Sequence, residues 1–486
     1  MKVLLVNTNR ERAPQPVVPL GLCMIAAALE AHGFRPRLLD LCFARYPERD
    51  LMRALADFAP EAIGLSIRNL DNGEYLQPRD YLPPVVSLTR TCREHSAAPI
   101  IIGGPAVSVE PRRMLDLLGA DYALAGEGEE VLPELLARLN SGRSASDLPG
   151  LYARGGADPP VPEARVADLR TVPGAQAGRR LDLGRYLRWG SPLPVQSKRG
   201  CALKCIHCTY RLIEAERYRL RSPESVVAEM VEARRSWGVR RFEFVDSTFN
   251  HPPRHALALC EEMIRRELRA ELYTMGLNPA ATSQELMLLM KRAGFNSVLC
   301  SPDSGSDQVL ANLRKGFSAE QIVRTAEYSR QAGLPILWSF MFGGPGESEA
   351  TVRETMKLME QIAAPRDRIL CTVGLRVYPR TELAQIALAE GQIARETNLL
   401  APVFYHSAQI SPLRVLELLE GSRRRSQLVY LGLLQQRCVP LALRLRAALH
   451  LPGTLWAGVP LYNRLTRALG IGKPRAADPS RGADPR

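Results

Sequence analysis

The sequence lacks any apolar stretch long enough to cross a bilayer as a helix, which needs about 20 residues. It begins MKVLLVNTNRER, and the apolar run there is too short for the core of a signal peptide. Its ten cysteines are irregularly spaced and do not form the framework of a disulfide-rich secreted domain. We therefore expect a cytoplasmic protein whose thiols stay reduced and are available to bind metal.

Excess positive charge is absent from most of the chain, although the net charge is +13. Residues 421–486 hold twelve Lys or Arg and two Asp, so they account for +10 of that total. The first 420 residues hold 52 basic and 49 acidic side chains. The high isoelectric point therefore describes a tail, and we expect no nucleic acid among the partners of this protein.

The first 140 residues also lack a Gly-x-Gly-x-x-Gly motif after the first apolar run, which argues against a dinucleotide-binding sheet. Short apolar runs such as KVLLV, EAIGLSI and APIIIGG alternate there with amphipathic stretches. Five strands with intervening helices predict an α/β fold with a doubly wound parallel sheet. Ligands bind such sheets at the carboxyl ends of the strands, which here carry the polar segments NTNRER, SIRNLDN, GGP and GEGE.

A second alternating series follows a stretch rich in Gly, Pro, Ser and Arg. Six βα units suggest a partial barrel that is open on one side, with its chemistry at the carboxyl ends of the strands. The predicted strands lie near residues 193–198, 240–245, 271–275, 296–300, 335–342 and 369–377.

Three cysteines stand together in GCALKCIHCTY, directly after the first strand of the second series. A structural zinc or iron–sulfur site normally closes with a fourth protein ligand, and no other cysteine is near Cys201, Cys205 and Cys208. Three thiolates on one loop can hold three irons of a cubane cluster and leave the fourth iron open to a non-protein ligand. A zinc knuckle, or cysteines without a common role, is the alternative.

The C-x3-C-x2-C spacing after the first strand of a (β/α)6 series resembles the radical S-adenosylmethionine (radical SAM) superfamily. In that superfamily SAM chelates the open iron, and one electron cleaves its C–S bond to give a 5′-deoxyadenosyl radical. The resemblance implies a [4Fe-4S] cluster on Cys201, Cys205 and Cys208, SAM as a cofactor, and an electron donor such as flavodoxin or ferredoxin.

Four further segments resemble landmarks of that superfamily, namely FVDSTFN, SPDSGSDQVLANLRKG, MFGGPGESEATVRET and LRVYPRTELA. Two positions depart from the usual pattern, because Asp303 replaces a glutamate and Arg380 replaces a glycine. The SAM contacts that the resemblance implies are His207, Asp246, Ser247, Asn250, Asp303, Ser304, Gly343 and Tyr378.

The first domain resembles the cobalamin-binding (B12-binding) domains that precede many radical SAM cores. The resemblance rests on PLGLCMIAAALEAHGF, IIGGP and GEGEEVLPELL. An ordinary nucleotide-binding or response-regulator-like sheet is the alternative. The implied cobalamin contacts are Ser66, Arg68, Asn69, Gly103, Gly104, Gly126 and Glu127.

A histidine ligand for cobalt is missing from the expected place. Many B12-binding domains carry D-x-H-x-x-G after the first strand, whereas that loop here reads NTNRERAPQP. His32 and His95 fall on predicted helices away from the ligand-binding edge. We therefore expect no histidine on the lower face of cobalt, with Arg68 or Asn69 near it. A phosphate or propionamide contact, or an interdomain ion pair, is an equal alternative for Arg68.

These resemblances predict four segments. They are a B12-binding domain over residues 1–145, a linker over 146–186, a radical SAM core over 187–400, and a helical basic C-terminal region over 401–486.

The two cofactors together imply a methyltransferase that acts on an unactivated carbon of a lipid or natural-product substrate. The sequence identifies no individual catalytic residue. A cyclase or rearrangement enzyme without net methyl transfer is one alternative. A non-catalytic radical SAM-like assembly factor is another, against which the intact cysteine triplet argues.

The C-terminal region interleaves leucines with arginines and includes Trp456. Basic amphipathic helices of this kind lie on anionic membranes, which would place the protein peripherally at the inner face of the membrane and favour a lipid substrate. Helices packed over the open side of the barrel, with their arginines in solvent, are the alternative.

Overall fold

The computed structural model describes residues 1–172, 174, 176–422 and 427–430. Its N-terminal part contains one sheet, whose strands are β1 (Lys2–Asn7), β2 (Arg35–Asp40), β3 (Ala62–Ser66), β4 (Ile100–Gly103), β5 (Tyr122–Leu124) and β6 (Leu151–Ala153). The spatial order is β2-β1-β3-β4-β5-β6. The first five strands are parallel, and β6 runs antiparallel to β5 at the edge.

Helices cover both faces of this sheet. They are α1 (Leu20–Ala31), α2 (Pro47–Phe58), α3 (Leu82–His95), α4 (Pro105–Val109), α5 (Pro111–Leu118) and α6 (Val131–Asn140). Leu4 and Val6 of β1 pack with α2, α3 and α5, whereas Val3 and Leu5 pack with α1 and α6. A strand buried on both faces is apolar at consecutive positions, as KVLLVN is. The predicted doubly wound parallel sheet is confirmed.

The strand order reverses at β1, which lies between β2 and β3. In open α/β sheets a ligand crevice forms at such a reversal, outside the carboxyl ends of the two strands. The loops after β1 and β3 begin at Asn7 and Ser66, so they flank the crevice.

The segment predicted as a linker is partly ordered into the first sheet, because β6 falls within it. Two short helices follow, α7 (Ala177–Arg180) and α8 (Leu183–Arg188). Tyr186 on α8 donates a hydrogen bond of 2.7 Å to Asp40 at the end of β2, and its ring packs on Phe43. These contacts hold the connection against the first sheet.

The second series has strands at each of the six predicted positions. Its strands are β7 (Leu193–Val195), β8 (Lys198–Arg199), β9 (Arg219–Leu220), β10 (Arg241–Phe244), β11 (Glu271–Thr274), β12 (Val298–Asp303), β13 (Ile336–Phe342) and β14 (Arg368–Val373). Strands β7, β10 and β11 form one parallel sheet, and β12, β13 and β14 belong to another. Isolated parallel pairings, Leu272 with Phe295 and Leu277 with Cys300, join the two sheets. The short pair β8 and β9 is antiparallel.

Helices connect these strands, and several of them have a serine cap at the N-terminus or a glycine cap at the C-terminus. They are α9 (Tyr210–Glu214), α10 (Pro223–Trp237), α11 (Pro253–Arg265), α12 (Gln284–Ala293), α13 (Asp307–Asn312), α14 (Ala319–Ala332) and α15 (Glu349–Ile362), with a 3-10 turn at Pro279–Ala281. Ser222, Ser283 and Ser348 accept hydrogen bonds from the first turns of α10, α12 and α15. Gly238 and Gly333 end α10 and α14 in the left-handed conformation.

The C-terminal side of the second series differs from the prediction. The sixth strand stops at Val373, and Gly374 turns the chain with φ +81° into β15 (Leu375–Arg376). A side chain at Gly374 would come within 2.5 Å of the His406 ring, so only glycine fits there. Next come α16 (Glu382–Ala389), β16 (Phe404–Tyr405), which is antiparallel to β15, and α17 (Pro412–Glu420). A further strand, β17 (Leu428–Tyr430), extends the sheet in parallel beside β14.

Among the described residues, no helix combines the length and apolarity that a membrane crossing requires. Most of the basic tail that the sequence analysis singles out lies outside the described residues, including Trp456. The expected membrane contact therefore stays a prediction. Because β17 pairs with β14, a truncation that tests it should follow β17 and so leave the sheet intact.

We expect the full chain to bind anionic vesicles weakly and to lose that binding on truncation after Tyr430. Residues 431–486 hold nine Lys or Arg and two Asp, and each cation near an anionic surface contributes on the order of 1 kcal/mol. Vesicle co-sedimentation at two salt concentrations measures this, because screening over about 8 Å at physiological ionic strength weakens the attraction. Neutral vesicles are the control. Failure of the full chain to bind anionic vesicles at low salt would contradict the prediction.

Candidate functional site

A cavity of about 500 Å³ lies between the first sheet and the second series of strands. One wall consists of the loops that follow β1, β3, β4 and β5. The opposite wall includes Gln196, Arg199, Tyr210, Val245 and Tyr378. The carboxyl ends of two separate sets of parallel strands therefore face one space.

All seven predicted cobalamin contacts line this cavity, namely Ser66, Arg68, Asn69, Gly103, Gly104, Gly126 and Glu127. Two of the glycines are required by close approach of the backbone. Gly104 has φ +104°, and a Cβ there would lie 2.6 Å from the Ile67 carbonyl oxygen. Gly126 has φ +89°, and its Cβ would lie 2.2 Å from the Ala164 carbonyl oxygen. A side chain at either position is excluded, which leaves this edge of the sheet smooth enough for a large flat group.

Arg68 faces the cavity, and no hydrogen bond or ion pair to its guanidinium is found among the described residues. Burial lowers the pKa of Arg68, and the nearby Tyr210 and Glu243 oppose that effect. The Arg68 side chain is exposed to the cavity, although protein surrounds much of it.

No histidine is among the cavity-lining residues that the structure describes. The rings of His32 and His95 each bond a carbonyl oxygen of their own helix, that of Ala28 at 2.8 Å and that of Thr91 at 3.1 Å. The expectation that these two histidines lie away from the ligand-binding edge therefore agrees with their positions.

The three cysteines occupy the loop that leaves β8. Cys201 is buried, whereas Cys205 and Cys208 are half-buried. Burial, with smaller contributions from the other two cysteines, raises the pKa of the Cys208 thiol to about 12. Burial also raises the pKa of the Cys205 thiol, so Cys205 and Cys208 resist ionisation unless bound cations compensate them, as the irons of a cluster would.

Within the described part of the chain, no group of three or more His, Cys, Asp or Glu side chains is placed to hold one metal ion. A cubane cluster makes a different demand, because each cysteine binds its own iron and the sulfurs stay apart. The donor set of three thiols fits such a cluster better than it fits zinc.

The cysteine loop is closed at its base. Strand β8 enters the loop and β9 leaves it, and the two strands pair antiparallel. Just inside the pair, the amide of Cys201 donates to the Ala215 carbonyl at 3.0 Å. Gly200 has φ +97°, and a Cβ there would lie 2.0 Å from the Arg217 carbonyl oxygen. We call residues 200–218 the cluster loop.

Two of the predicted SAM contacts lie close together, His207 within the cluster loop and Asp303 at the end of β12. The His207 Nε2 atom is 3.7 Å from an Asp303 oxygen, and Lys315 donates to the same carboxylate at 2.5 Å. Burial lowers the pKa of His207 to about 4, although Asp303 opposes the effect. Burial lowers the pKa of Lys315 as well, but Asp303 and Cys205 outweigh it and raise the value.

Asp246 differs from the expectation that it faces a ligand. Its carboxylate is fully buried and accepts hydrogen bonds from the Ser197 amide at 2.7 Å and hydroxyl at 2.5 Å. Lys198 approaches the same carboxylate with its ammonium at 3.2 Å and also donates to the Phe249 carbonyl at 2.8 Å. These donors occupy both carboxylate oxygens, so Asp246 anchors the start of the cluster loop to the end of β10.

Asn250 and Ser247 are likewise engaged with the protein. The Asn250 amide donates to Asn278 and Thr282 at 2.9 and 3.0 Å and accepts from the Asn278 amide at 2.8 Å. The Ser247 hydroxyl donates to the Gly200 carbonyl at 2.7 Å. Together they tie the loops after β10 and β11 to each other and to the base of the cluster loop.

The remaining predicted SAM contacts are spread over three places. The Ser304 hydroxyl lies 3.2 Å from that of Thr355 in the interior. Gly343 donates from its amide to buried Glu347 and accepts from the Ser407 amide at 2.8 Å. Tyr378 lies on the cavity wall instead, with the guanidinium of Arg376 over its ring at 4.8 Å. Tyr378 therefore lines the same cavity as the predicted cobalamin contacts, on the opposite wall.

Two carboxylates near the cavity were not singled out by the sequence analysis. Burial raises the pKa of Glu214 and of Glu243 to about 7, and Arg68 opposes this effect for Glu243. Strand alternation gives a signal for Glu243, because Phe242 and Phe244 on either side of it are buried in the core. Glu214 ends the helix directly after the cysteines and accepts from the Gly200 amide at 3.2 Å.

Comparison with known families matches two regions of the chain. Residues 7–136 match the B12 binding domain, and residues 195–359 match the Radical SAM superfamily. The tryptophan 2-C-methyltransferase of Streptomyces laurentii is 27% identical over 80% of this chain and 74% of its own length. The hopanoid C-3 methylase of Methylococcus capsulatus is 25% identical over 65% of this chain and 59% of its own length.

Solved structures support the arrangement of both domains. The radical SAM methyltransferase TsrM from Kitasatospora setae, with cobalamin and a [4Fe-4S] cluster bound, gives a TM-score of 0.81 at 24% identity over 96% of this chain and 98% of its own. The cobalamin-dependent radical SAM enzyme OxsB gives 0.70 at 14% identity over 97% of this chain and 75% of its own. The two family matches fall in the predicted order, so this chain carries a B12-binding domain followed by a radical SAM domain, and it shares its fold with these enzymes over nearly its whole length.

Proposed function

We propose that the protein is a cobalamin-dependent radical SAM methyltransferase that methylates an unactivated carbon of a small-molecule substrate. One observation carries the proposal. The cavity has the predicted cobalamin contacts on one wall and Tyr210, which follows Cys208 by two residues, on the other. Both cofactors can therefore reach the same substrate. Several similar proteins bear the name methyltransferase or methylase, which supports the reaction class.

Different residues of the chain bind the two cofactors. Cys201, Cys205 and Cys208 hold the cluster on the closed cluster loop, and the smooth edge at Gly104 and Gly126 receives cobalamin. When bound, the cofactors supply the electron, the adenosyl group and the methyl group. The protein's main contribution to rate is position, because the reacting carbon must lie between the two cofactors.

Arg68 is proposed to lie beneath cobalt in place of a ligand. A guanidinium offers no lone pair to a metal, so it would not coordinate. Its charge would disfavour the more positive oxidation state of cobalt and so weaken the bond to a methyl group on the opposite face. An interdomain ion pair, the earlier alternative for Arg68, is less favoured because its guanidinium has no carboxylate in hydrogen-bonding contact among the described residues.

The substrate is proposed to be a polar small molecule, because Glu214 and Tyr210 on the cavity wall offer charged and hydrogen-bonding groups. The alternative of a lipid substrate rests on the basic tail, and we would reject it if the full chain did not bind anionic vesicles. Cyclisation without methyl transfer is the second candidate, since two similar proteins are named anaerobic magnesium-protoporphyrin IX monomethyl ester cyclase. Flavodoxin or ferredoxin as electron donor stays a prediction.

Replacing Cys201, Cys205 and Cys208 together by alanine is expected to abolish iron binding and the formation of 5′-deoxyadenosine. Anaerobic reconstitution of the unchanged protein should give about four irons per chain. Iron analysis and absorbance spectra measure the first effect, and chromatography of the products measures the second. The matched controls are Cys260→Ala and Cys300→Ala, which remove thiols buried in the core and should leave the iron content unchanged. Full iron in the triple variant would disprove the cluster assignment.

The lower face of cobalt is tested by electron paramagnetic resonance of the Co(II) form. Coordination by nitrogen from below splits each cobalt line into a triplet, and we expect no such triplet because no described histidine lines the cavity. As the matched control, Arg68→His introduces an imidazole at the proposed position and should create the triplet. A nitrogen triplet in the unchanged protein would refute the proposal, and its absence in Arg68→His would show that residue 68 is not beneath cobalt.

The reaction class is tested with SAM that carries a deuterated methyl group, supplied with reductant, cobalamin and a panel of candidate substrates. We expect mass spectrometry to find the labelled methyl group in a product. The triple cysteine variant is the control for transfer without the cluster. Substrate consumption without any label in the product would favour the cyclase or rearrangement enzyme instead.

A further inference from the structure

Two arginines stand at the base of the cluster loop, one on each side. Arg199 is the last residue of β8, directly before Gly200, and Arg219 is the first residue of β9, directly after the loop ends. Because β8 and β9 pair there, with Arg199 opposite Arg219, the two guanidinium groups move with the base of the loop as a unit.

Both arginines bind carboxylates of the first domain. Arg199 donates to Glu129 at 2.6 Å and lies 3.3 Å from Glu127. Arg219 donates two hydrogen bonds to the Glu127 carboxylate, of 2.5 and 2.8 Å. Such a bidentate contact fixes the relative orientation of the two side chains as well as their distance. We call these four residues the interdomain charge cluster.

The charge cluster is shielded from solvent. The side chains of Arg199, Glu127 and Glu129 are 6 to 7% exposed, and that of Arg219 is 18% exposed. Burial alone would raise the pKa of Glu127, but Arg219 and Arg199 hold it below its usual range. With two cations and two anions the cluster is balanced, and removing one member leaves a buried charge without a full partner.

Glu127 and Glu129 belong to the loop after β5, which also lines the cavity through Gly126 and Gly128. The same short loop therefore meets the proposed cobalamin space on one side and the base of the cluster loop on the other. The amide of Glu127 donates to the Ala164 carbonyl at 3.0 Å, and its carboxylate accepts from the Val166 amide at 2.8 Å. These bonds leave the loop few ways to shift except together with the arginines.

We infer that the interdomain charge cluster couples the two cofactor sites, so that a bound iron–sulfur cluster tightens cobalamin binding and bound cobalamin orders the cluster loop. The inference rests on the proposed function, since it takes the cavity as the cobalamin site. The physical reason is conformational entropy: whichever cofactor binds first orders the shared loops, and the second then has less to order. Coupling of this kind is reciprocal, so each cofactor changes the affinity for the other by the same factor. Glu129 and Arg219 act as positioning residues here.

The experiment measures the dissociation constant of hydroxocobalamin twice, on the full-length protein without iron and on the reconstituted protein. In the unchanged protein the reconstituted form should bind at least about fivefold more tightly, the lower end of typical coupling factors. Glu129→Gln keeps the shape and a hydrogen-bond acceptor but removes the charge, and it should bring the ratio close to one. Arg219→Lys keeps the charge but not the bidentate contact with Glu127, and it should partly lower the ratio of the two dissociation constants.

The matched control is Asp71→Asn, the same chemical change in another buried interdomain pair. Arg376 donates to Asp71 at 2.7 Å, and both side chains are at most 5% exposed, but neither residue borders the cluster loop. Asp71→Asn should keep the ratio of the unchanged protein. Paramagnetic resonance of the reduced cluster gives a second readout, whose spectrum should respond to cobalamin in the unchanged protein and in Asp71→Asn but not in Glu129→Gln.

Three results would overturn the inference. They are a ratio near one in the unchanged protein, an undiminished ratio in both Glu129→Gln and Arg219→Lys, and an equal loss in Asp71→Asn, which would indicate general loosening of the interface. Normal cobalamin binding without coupling defeats this inference alone. Absence of cobalamin binding by the unchanged protein defeats the proposed function as well.

Discussion

The organisation of this protein depends on one constraint, the burial of charge where two α/β units meet. Parallel strands carry their polar loops at the carboxyl ends, and here two such edges face each other across one cavity. Their charged side chains lose water on meeting and must find partners on the other unit, as Arg376 does with Asp71 and Arg199 with Glu129. Breaking such a pair costs about 3–5 kcal/mol because the remaining charge stays buried. The pairs thus fix one relative placement of the domains, and that placement creates the site.

Much of the architecture could be predicted from the sequence because its signals are local. A strand covered on both faces is apolar at every position, so β1 and β4 stand out as short runs. The cysteine triplet needs only its own spacing and the strand before it. That the predicted cobalamin contacts lie together could also be predicted, since parallel strands bring residues as distant as Ser66 and Gly126 to one edge of the sheet.

The remainder depends on partners that are remote in the sequence. Asp246 follows a strand as a ligand-binding residue would, and only the fold reveals that Lys198 already occupies it. Tyr378 stays a predicted SAM contact, and it is the turn at Gly374 that carries it to the cavity wall. Strand β17 begins the run LVYLGLL in a region predicted to be helical, and it forms a strand because the edge of β14 offers unpaired backbone groups. Local patterns thus predict helices and strands, whereas the partners of individual side chains depend on the tertiary structure.

The charges in the cavity also form a consistent electrostatic pattern. Glu214 and Glu243 have pKa values raised to about 7 by burial, so near neutral pH each carries on average less than a full negative charge. Arg68 keeps its guanidinium charge at that pH, since even a lowered arginine pKa lies far above neutrality. Arg199, the other arginine on the cavity wall, is balanced by Glu127 and Glu129, whereas the carboxylate whose charge acts on Arg68 is the partly ionised Glu243. Under the proposal for Arg68, a guanidinium without a lone pair would stand where many B12-binding domains place a histidine that donates one.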